Sequence, residues 1–242
     1  MEKVVAIIPA RYESSRFPGK PLAHIAGKSM IQRVYEAVKK VKDFDDVIVA
    51  TDDIRIKSEV LNFNGNVVMT GECGCGTERV YKASRDIDAD IIVNVQGDEP
   101  LIKQEMILDL IKCFEDESVT MATLKKELIE DAEIENPNVV KVVTDKNNDA
   151  IYFSRYAIPF VRGNEDVKFF RHIGIYGYTK TFLEKYVSLP ETELEKAEKL
   201  EQLRVLENGY KIRVVETKYD TVGVDTPEQL QIVEQMFLKQ EN

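Results

Sequence analysis

The chain has 242 residues, 43% of them hydrophobic, and its 33 Lys and Arg against 43 Asp and Glu leave a net charge of −10. That is enough apolar material for one large domain, just below the roughly 250–300 residues at which single cores stop growing. The acidic balance argues against nonspecific nucleic-acid binding, which needs an excess of Lys and Arg, yet leaves room for a small basic pocket for an anionic ligand. The apolar run Val4–Ala10 is too short to span a bilayer. Arg11, Glu13 and Arg16 follow it where a signal peptide would need small residues, so a cytoplasmic location is expected. Three cysteines, Cys73, Cys75 and Cys113, fit a reducing compartment, and Cys73-x-Cys75 lacks the second ligand pair that a zinc site would need.

In chain order, Val4–Pro9 reads as a buried strand and Met30–Val41 as a helix with Ile31, Val34, Tyr35 and Val38 on one face. Asp46–Ala50 is a second strand, followed by the polar turn Thr51-Asp52-Asp53. A helix from about Ile54 to Phe63 stops at Asn64-Gly65. Val67–Met69 is a strand, Thr77–Ile87 a helix, and Asp90–Val95 a strand running into Gln96-Gly97-Asp98-Glu99-Pro100. Apolar strands alternating with helices predict an α/β fold with a mostly parallel central sheet flanked by helices. Ligands of such sheets sit beyond the carboxyl ends of the strands, so the loops after Pro9, Ala50 and Val95 are expected at one site. Further on, Val139–Thr144 and Ile151–Ser154 are strands joined by the turn Asp145-Lys146-Asn147-Asn148. Phe169–Tyr178 alternates less cleanly, Glu193–Glu207 reads as one helix, and Ile212–Glu216 is a strand. Thr226, Pro227 and Gln229 form a capping box that starts the last helix just after Asp225. No linker-like stretch interrupts the chain, which predicts one domain over residues 1–242 with a smaller lobe around 150–190.

The loop after the first strand carries Arg11, Ser14, Ser15, Arg16, Gly19 and Lys20. Cations interleaved with hydroxyls and glycine suit a chain of phosphates, although Arg and Lys are also ordinary in solvated loops. The loop is neither a Walker loop nor a dinucleotide fingerprint. Asp98 follows a buried strand and Asp225 precedes a capped helix; carboxylates in such places could share a Mg²⁺, and equally each could be a plain turn residue. The run Gly74-Cys75-Gly76 before Thr77-Glu78-Arg79 would let backbone approach a flat base, with Cys75 as a pocket wall. Cys113, in an apolar helix, is expected in the core. Arg155, His172, Tyr176, Glu201 and Gln202 form a second polar set, suited to an acidic sugar or to purely structural work.

Taken together, the blocks IIPARYESSRFPGKPL (7–22), GTERV (76–80), VNVQGDEP (93–100), NPNVVKVV (136–143), FSRYAIP (153–159), RHIGIYGY (171–178), LEQLRVL (200–206) and GVDTPE (223–228) resemble the 3-deoxy-manno-octulosonate (Kdo) cytidylyltransferase family. They occur in family order over nearly the whole chain. The resemblance implies a nucleotide-diphospho-sugar transferase-like fold and a homodimer. It also implies a Mg²⁺-dependent transfer of CMP from CTP to the 2-hydroxyl of Kdo, with release of diphosphate, for lipopolysaccharide biosynthesis. It places Arg11, Ser14 and Lys20 at the CTP phosphates, Cys75, Gly76 and Gln96 around the nucleotide, and Asp98 and Asp225 at the metal. Asp98, Asp225, Lys20 and Arg11 carry the chemistry in that pattern. Arg79, Gln96, Arg155, His172, Tyr176, Glu201 and Gln202 fall around the sugar. One departure stands out: Cys73-Gly74-Cys75 occupies the place of a His-x-Ser pattern, and a thiol is a weak substitute for a hydroxyl at the base. A transferase acting on a sialic acid, a glycosyltransferase consuming a nucleotide sugar, and a non-catalytic nucleotide sensor are the competing possibilities.

Overall fold

Hydrophobic periodicity and caps account for most of the elements in the structure, a computed structural model that describes residues 2–13 and 17–240. In chain order these begin with β1 (Val4–Ala10), a short hairpin of β2 (His24–Ile25) and β3 (Lys28–Ser29), α1 (Met30–Lys39) and β4 (Asp46–Thr51). There follow α2 (Ile54–Asn62), β5 (Asn66–Met69), α3 (Gly76–Ser84), β6 (Ile91–Asn94) and α4 (Gln104–Lys112). Next come β7 (Met121–Leu128), α5 (Asp131–Ile134), β8 (Lys141–Thr144), β9 (Ala150–Ser154) and β10 (Phe169–Thr179). The remainder is α6 (Lys180–Ser188), α7 (Glu193–Glu198), α8 (Leu203–Glu207), β11 (Arg213–Glu216) and α9 (Pro227–Gln240). The chain divides into two compact units, residues Met1–Leu108 with Asp220–Asn242, and residues Asp109–Tyr219.

The first unit is an α/β layer. Its strands run in the order β6-β1-β4-β5, every pair parallel. The inner strands β1, β4 and β6 are buried on both faces, as expected where helices cover a parallel sheet. Ser29 accepts from the Gln32 N–H to start α1, and Asp53 accepts from the Arg55 N–H to start α2. α2 stops where predicted, and it is Asn64 that takes the left-handed conformation (φ 60°). Thr226 and Gln229 make the predicted reciprocal cap of α9, with Gln229 Oε1 also accepting from the Asp225 N–H at 2.7 Å. Ile25, Met30, Val224 and Val233 form a buried cluster that ties α9 and the Asp225 loop to the hairpin.

The second unit is built on β7 and β10, paired antiparallel with a bulge between Ile173 and Tyr176. β11 lies parallel to β7 on one side, and β8 pairs with β10 and with β9. This unit contains the stretch 150–190. The helix predicted over Glu193–Glu207 is in fact two. α7 ends at Lys199, in the left-handed region at φ 55°, and α8 begins after Gln202. No glycine marks the break. It is held from outside: the Arg155 guanidinium donates to the Glu198 and Lys199 carbonyls at 2.7 and 3.4 Å, satisfying the open end of α7. The sequence pattern did not give α4, the long strand β7, α5, α6 or the short β2–β3 hairpin.

Candidate functional site

A cavity of about 440 Å³ opens at the carboxyl ends of β1 and β6 and the start of α3. Pro9, Ala10 and Arg11 line it from the first strand, Gln96, Gly97 and Asp98 from the loop after β6, and Cys73 to Gly76 with Arg79 from the α3 side. Lys20 and Asp225 complete it. Close backbone approach requires glycine at 97, where a Cβ would stand 2.8 Å from the Pro9 carbonyl oxygen. Gly19, at φ 72°, turns the first loop so that its N–H donates to the Tyr12 carbonyl and Lys20 opens a short 3₁₀ turn.

The two acidic residues meet because their loops are stitched together. The Val224 N–H donates to the Asp98 carbonyl at 2.9 Å, and the capping box fixes Asp225 one residue later. Their carboxylates then share one cation: Lys20 Nζ lies 2.6 Å from Asp98 Oδ2 and 3.1 Å from Asp225 Oδ1. The lysine side chain is 15% exposed and the carboxylates 30% and 44%, so the cluster is open to solvent and to ligand. The loop after β4 contributes indirectly. Arg79, 4% exposed, is held by Asp52 at 2.6 Å and by Thr70 Oγ1 at 2.9 Å, so its charge is already matched. Asp52 was missed by sequence reasoning; its position at the carboxyl end of a buried strand was the available signal. Cys75 caps α3, its sulfur accepting from the Glu78 N–H at 3.4 Å. Ser14 lies outside the described residues.

The later polar set gathers in the second unit. The β10 bulge turns the Ile173 and Ile175 carbonyls onto the Thr123 hydroxyl, at 3.1 and 2.8 Å. His172 Nε2 lies 2.9 Å from the same hydroxyl oxygen. Since carbonyls only accept, the hydroxyl proton goes to them and Nε2–H donates to the oxygen, leaving Nδ1 as the acceptor. Burial, with the Arg171 charge as the lesser cause, pulls the His172 imidazole down to about 3, so it is neutral at physiological pH. Its ring packs against Phe153 and Tyr176. Burial, then the Glu201 charge, pushes the Tyr176 phenol above its ordinary value. Glu201 sits in the turn between α7 and α8, and Gln202, buried, ends it.

Arg155 donates to three carbonyls, those of Glu198, Pro137 and Lys199. The Glu198 carboxylate answers by accepting from the Ser154 hydroxyl and the Arg155 N–H. Lys141, fully buried, donates to the Asn136, Val139 and Arg155 carbonyls at 2.6–2.9 Å. Sequence reasoning missed Lys141 and Glu198; a lysine inside the apolar run VVKVV was a usable signal. Cys113, expected in the core within an apolar helix, instead falls in a 3₁₀ turn after α4 and is half-buried, which still pushes its thiol up to about 11.

Residues 5–212 match the family model described as Cytidylyltransferase. The 3-deoxy-manno-octulosonate cytidylyltransferase of Fusobacterium nucleatum subsp. nucleatum is 52% identical, with 96% of this chain and 95% of that protein covered. The 8-amino-3,8-dideoxy-manno-octulosonate cytidylyltransferase of Shewanella pealeana is 50% identical over 96% of this chain and 97% of its own. Among solved structures, a CMP:2-keto-3-deoxy-manno-octonic acid synthetase complexed with CTP superposes with a TM-score of 0.95 at 43% identity, covering 98% of this chain and 99% of the other. The chain belongs to the cytidylyltransferase family, with the 3-deoxy-manno-octulosonate cytidylyltransferases among its near relatives.

Proposed function

We propose that this protein transfers CMP from CTP to the anomeric 2-hydroxyl of Kdo, releasing diphosphate, and so activates the sugar for lipopolysaccharide biosynthesis in the cytoplasm. The observation that carries the proposal is the convergence of Asp98 and Asp225 on one ammonium beside Arg11. Two carboxylates about one cation suit Mg²⁺, a hard ion that takes oxygen ligands and completes its shell with water and substrate phosphates. Among the described residues no cluster of three or more His, Cys, Asp or Glu is available to hold a metal without substrate. Held by Asp98 and Asp225, Mg²⁺ would supply Lewis-acid charge neutralisation and a lowered pKa for the attacking hydroxyl.

The chain's own residues do the rest. Lys20 leaves the carboxylates for the phosphates, and with Arg11 and Ser14 it offsets the charge that builds on the leaving diphosphate. Gly76, Cys75 and Gln96 border the nucleotide. Gly97, without a Cβ, leaves the Pro9 carbonyl unobstructed. Arg79, Gln96, Arg155, His172, Tyr176, Glu201 and Gln202 are assigned to the sugar. His172 and Tyr176 act there as neutral hydrogen-bonding groups, since their environments oppose the charged forms. Arg155 contributes chiefly by shaping the turn that presents Glu201 and Gln202. Tyr156 and Phe160, 81% and 87% exposed, offer aromatic surface suited to a homodimer contact.

Diphosphate release is to be measured with CTP, Mg²⁺ and each of Kdo, its 8-amino-3,8-dideoxy analogue and a sialic acid. Release with Kdo is expected. Preference for the amino sugar would move the substrate assignment, and no release with any of them would remove the enzymatic one.

A further inference from the structure

We propose that Cys75 and Cys73 form a reversible thiol-exchange site at the lip of the cytidylyltransferase cavity, taking small disulfides that carry carboxylates. Both residues line that cavity. Cys75 is exposed and caps α3, where the helix N-terminus and the Glu78 N–H favour a thiolate. Cys73 lies on the same wall, its thiol donating to the Gly71 carbonyl at 3.6 Å. Arg11, exposed and lining the same cavity, would draw an anionic reagent toward Cys75, whereas Lys20 and Arg79 are already matched by carboxylates. Cys113 differs on every count: its thiol is desolvated and pushed up to about 11.

The chemistry needs only the reagent disulfide as oxidant. The Cys75 thiolate attacks one sulfur of RSSR, forming Cys75–S–S–R and releasing one RS⁻. The Cys73 thiolate then attacks the Cys75 sulfur, forming the Cys73–Cys75 disulfide and releasing the second RS⁻. Two cysteine thiols are thereby oxidised and one RSSR is reduced to two thiols. Residues two apart are separated by at most about 7 Å between Cα atoms, which overlaps the roughly 4.4–6.8 Å that a disulfide spans. Gly74 between them leaves the backbone free to adjust.

The consequence for the site follows from what holds this loop. Lys82 donates to the Glu72 carbonyl, the Gly74 N–H donates to Glu78 Oε2, and the Glu78 N–H donates to Cys75. Drawing Cys75 onto Cys73 removes the cap of α3 and shifts the wall of the cavity, so the oxidised protein binds CTP more weakly. That last step rests on the nucleotide assignment proposed above; the thiol exchange does not.

The test treats reduced full-length protein with oxidised glutathione and follows intact mass. Wild type should pass through a single glutathionyl adduct to a species lacking two hydrogens. Cys73→Ser should stop at the adduct, Cys75→Ser should form neither product, and a reductant should restore the starting mass. Uncharged 2-hydroxyethyl disulfide should react more slowly at low salt. Adduct on Cys113, no adduct at all, or a Cys73→Ser protein that still loses two hydrogens would overturn the proposal. Calorimetry separates the two assignments: reduced protein should bind CTP, and oxidised protein about tenfold or more weakly. Oxidised protein that binds CTP as tightly as reduced overturns the link to the cavity. If reduced protein shows no CTP binding, the nucleotide assignment fails, while the mass series still decides the exchange chemistry.

Discussion

The two polar clusters use charge in opposite ways. In the first unit, Lys20 is shared by two half-exposed carboxylates and is tied to no backbone group by either contact. In the second, Lys141 and Arg155 point their donors at main-chain carbonyls, and His172 is held neutral against Thr123. A cation paired to exposed carboxylates can be handed to a ligand at little cost, because water and ligand replace what it leaves. A cation satisfying buried carbonyls cannot, since leaving strands several acceptors away from water. The first cluster is therefore built for exchange and the second for shape.

The largest effect that would break this contrast is on turnover. Asp98→Asn should lower turnover by ~10³-fold, consistent with several kcal/mol of lost charge stabilisation, while thermal unfolding stays nearly unchanged. Steady-state diphosphate release and a melting curve check both halves. Near-normal turnover removes Asp98 from the chemistry. In the second unit the sign reverses: Lys141→Met should cost about 3 kcal/mol of stability, because three carbonyls lose a buried donor. Urea denaturation reads this, and a loss below about 1 kcal/mol would mean water replaces the ammonium easily.

A subtler check uses pH. The His172 imidazole takes up its proton near 6.5 when free and only near 3 when folded. Between those values the unfolded chain holds the extra proton, so this contribution is complete above about 6.5 and is lost as pH falls toward about 3. His172→Gln should flatten that part of the stability profile relative to wild type, as measured by denaturation midpoints across the range. Identical profiles would show that the ring is solvated. The smallest effect belongs to Cys75→Ser. Serine caps helices well, so a gain of about 0.5 kcal/mol is expected in the melting of the reduced protein. A loss would mean that the sulfur's bulk, not its acceptor role, matters there.

Much of the first unit was legible in the residues. Strands such as Val4–Pro9 and Asp46–Ala50 are apolar on both faces, and Asn64-Gly65 and Thr226-Pro227 punctuate helices through local backbone chemistry. The meeting of Asp98 with Asp225 was less so. Resemblance suggested it, but the physical cause is the Val224 N–H to Asp98 carbonyl bond, which no periodicity reveals. The break at Lys199 was illegible because its cause, Arg155, lies far away in sequence. β7 escaped because its end, Lys125-Lys126-Glu127, looks like surface, whereas Lys125 is buried against Thr144 and the Phe170 ring. Tertiary partners override local pattern at such points.

The return of residues 220–242 to the first unit also sets an order of events during synthesis. The contact between Lys20 and Asp225 spans 205 positions, and everything in Asp109–Tyr219 leaves the ribosome in between. A nascent chain can assemble β1, β4, β5 and β6 and pair Lys20 with Asp98 long before the second carboxylate exists. The Lys20–Asp98 half of the cluster can thus form early and lacks its second carboxylate until translation has passed Asp225, so a chain cut short upstream holds at most half of the acidic pair.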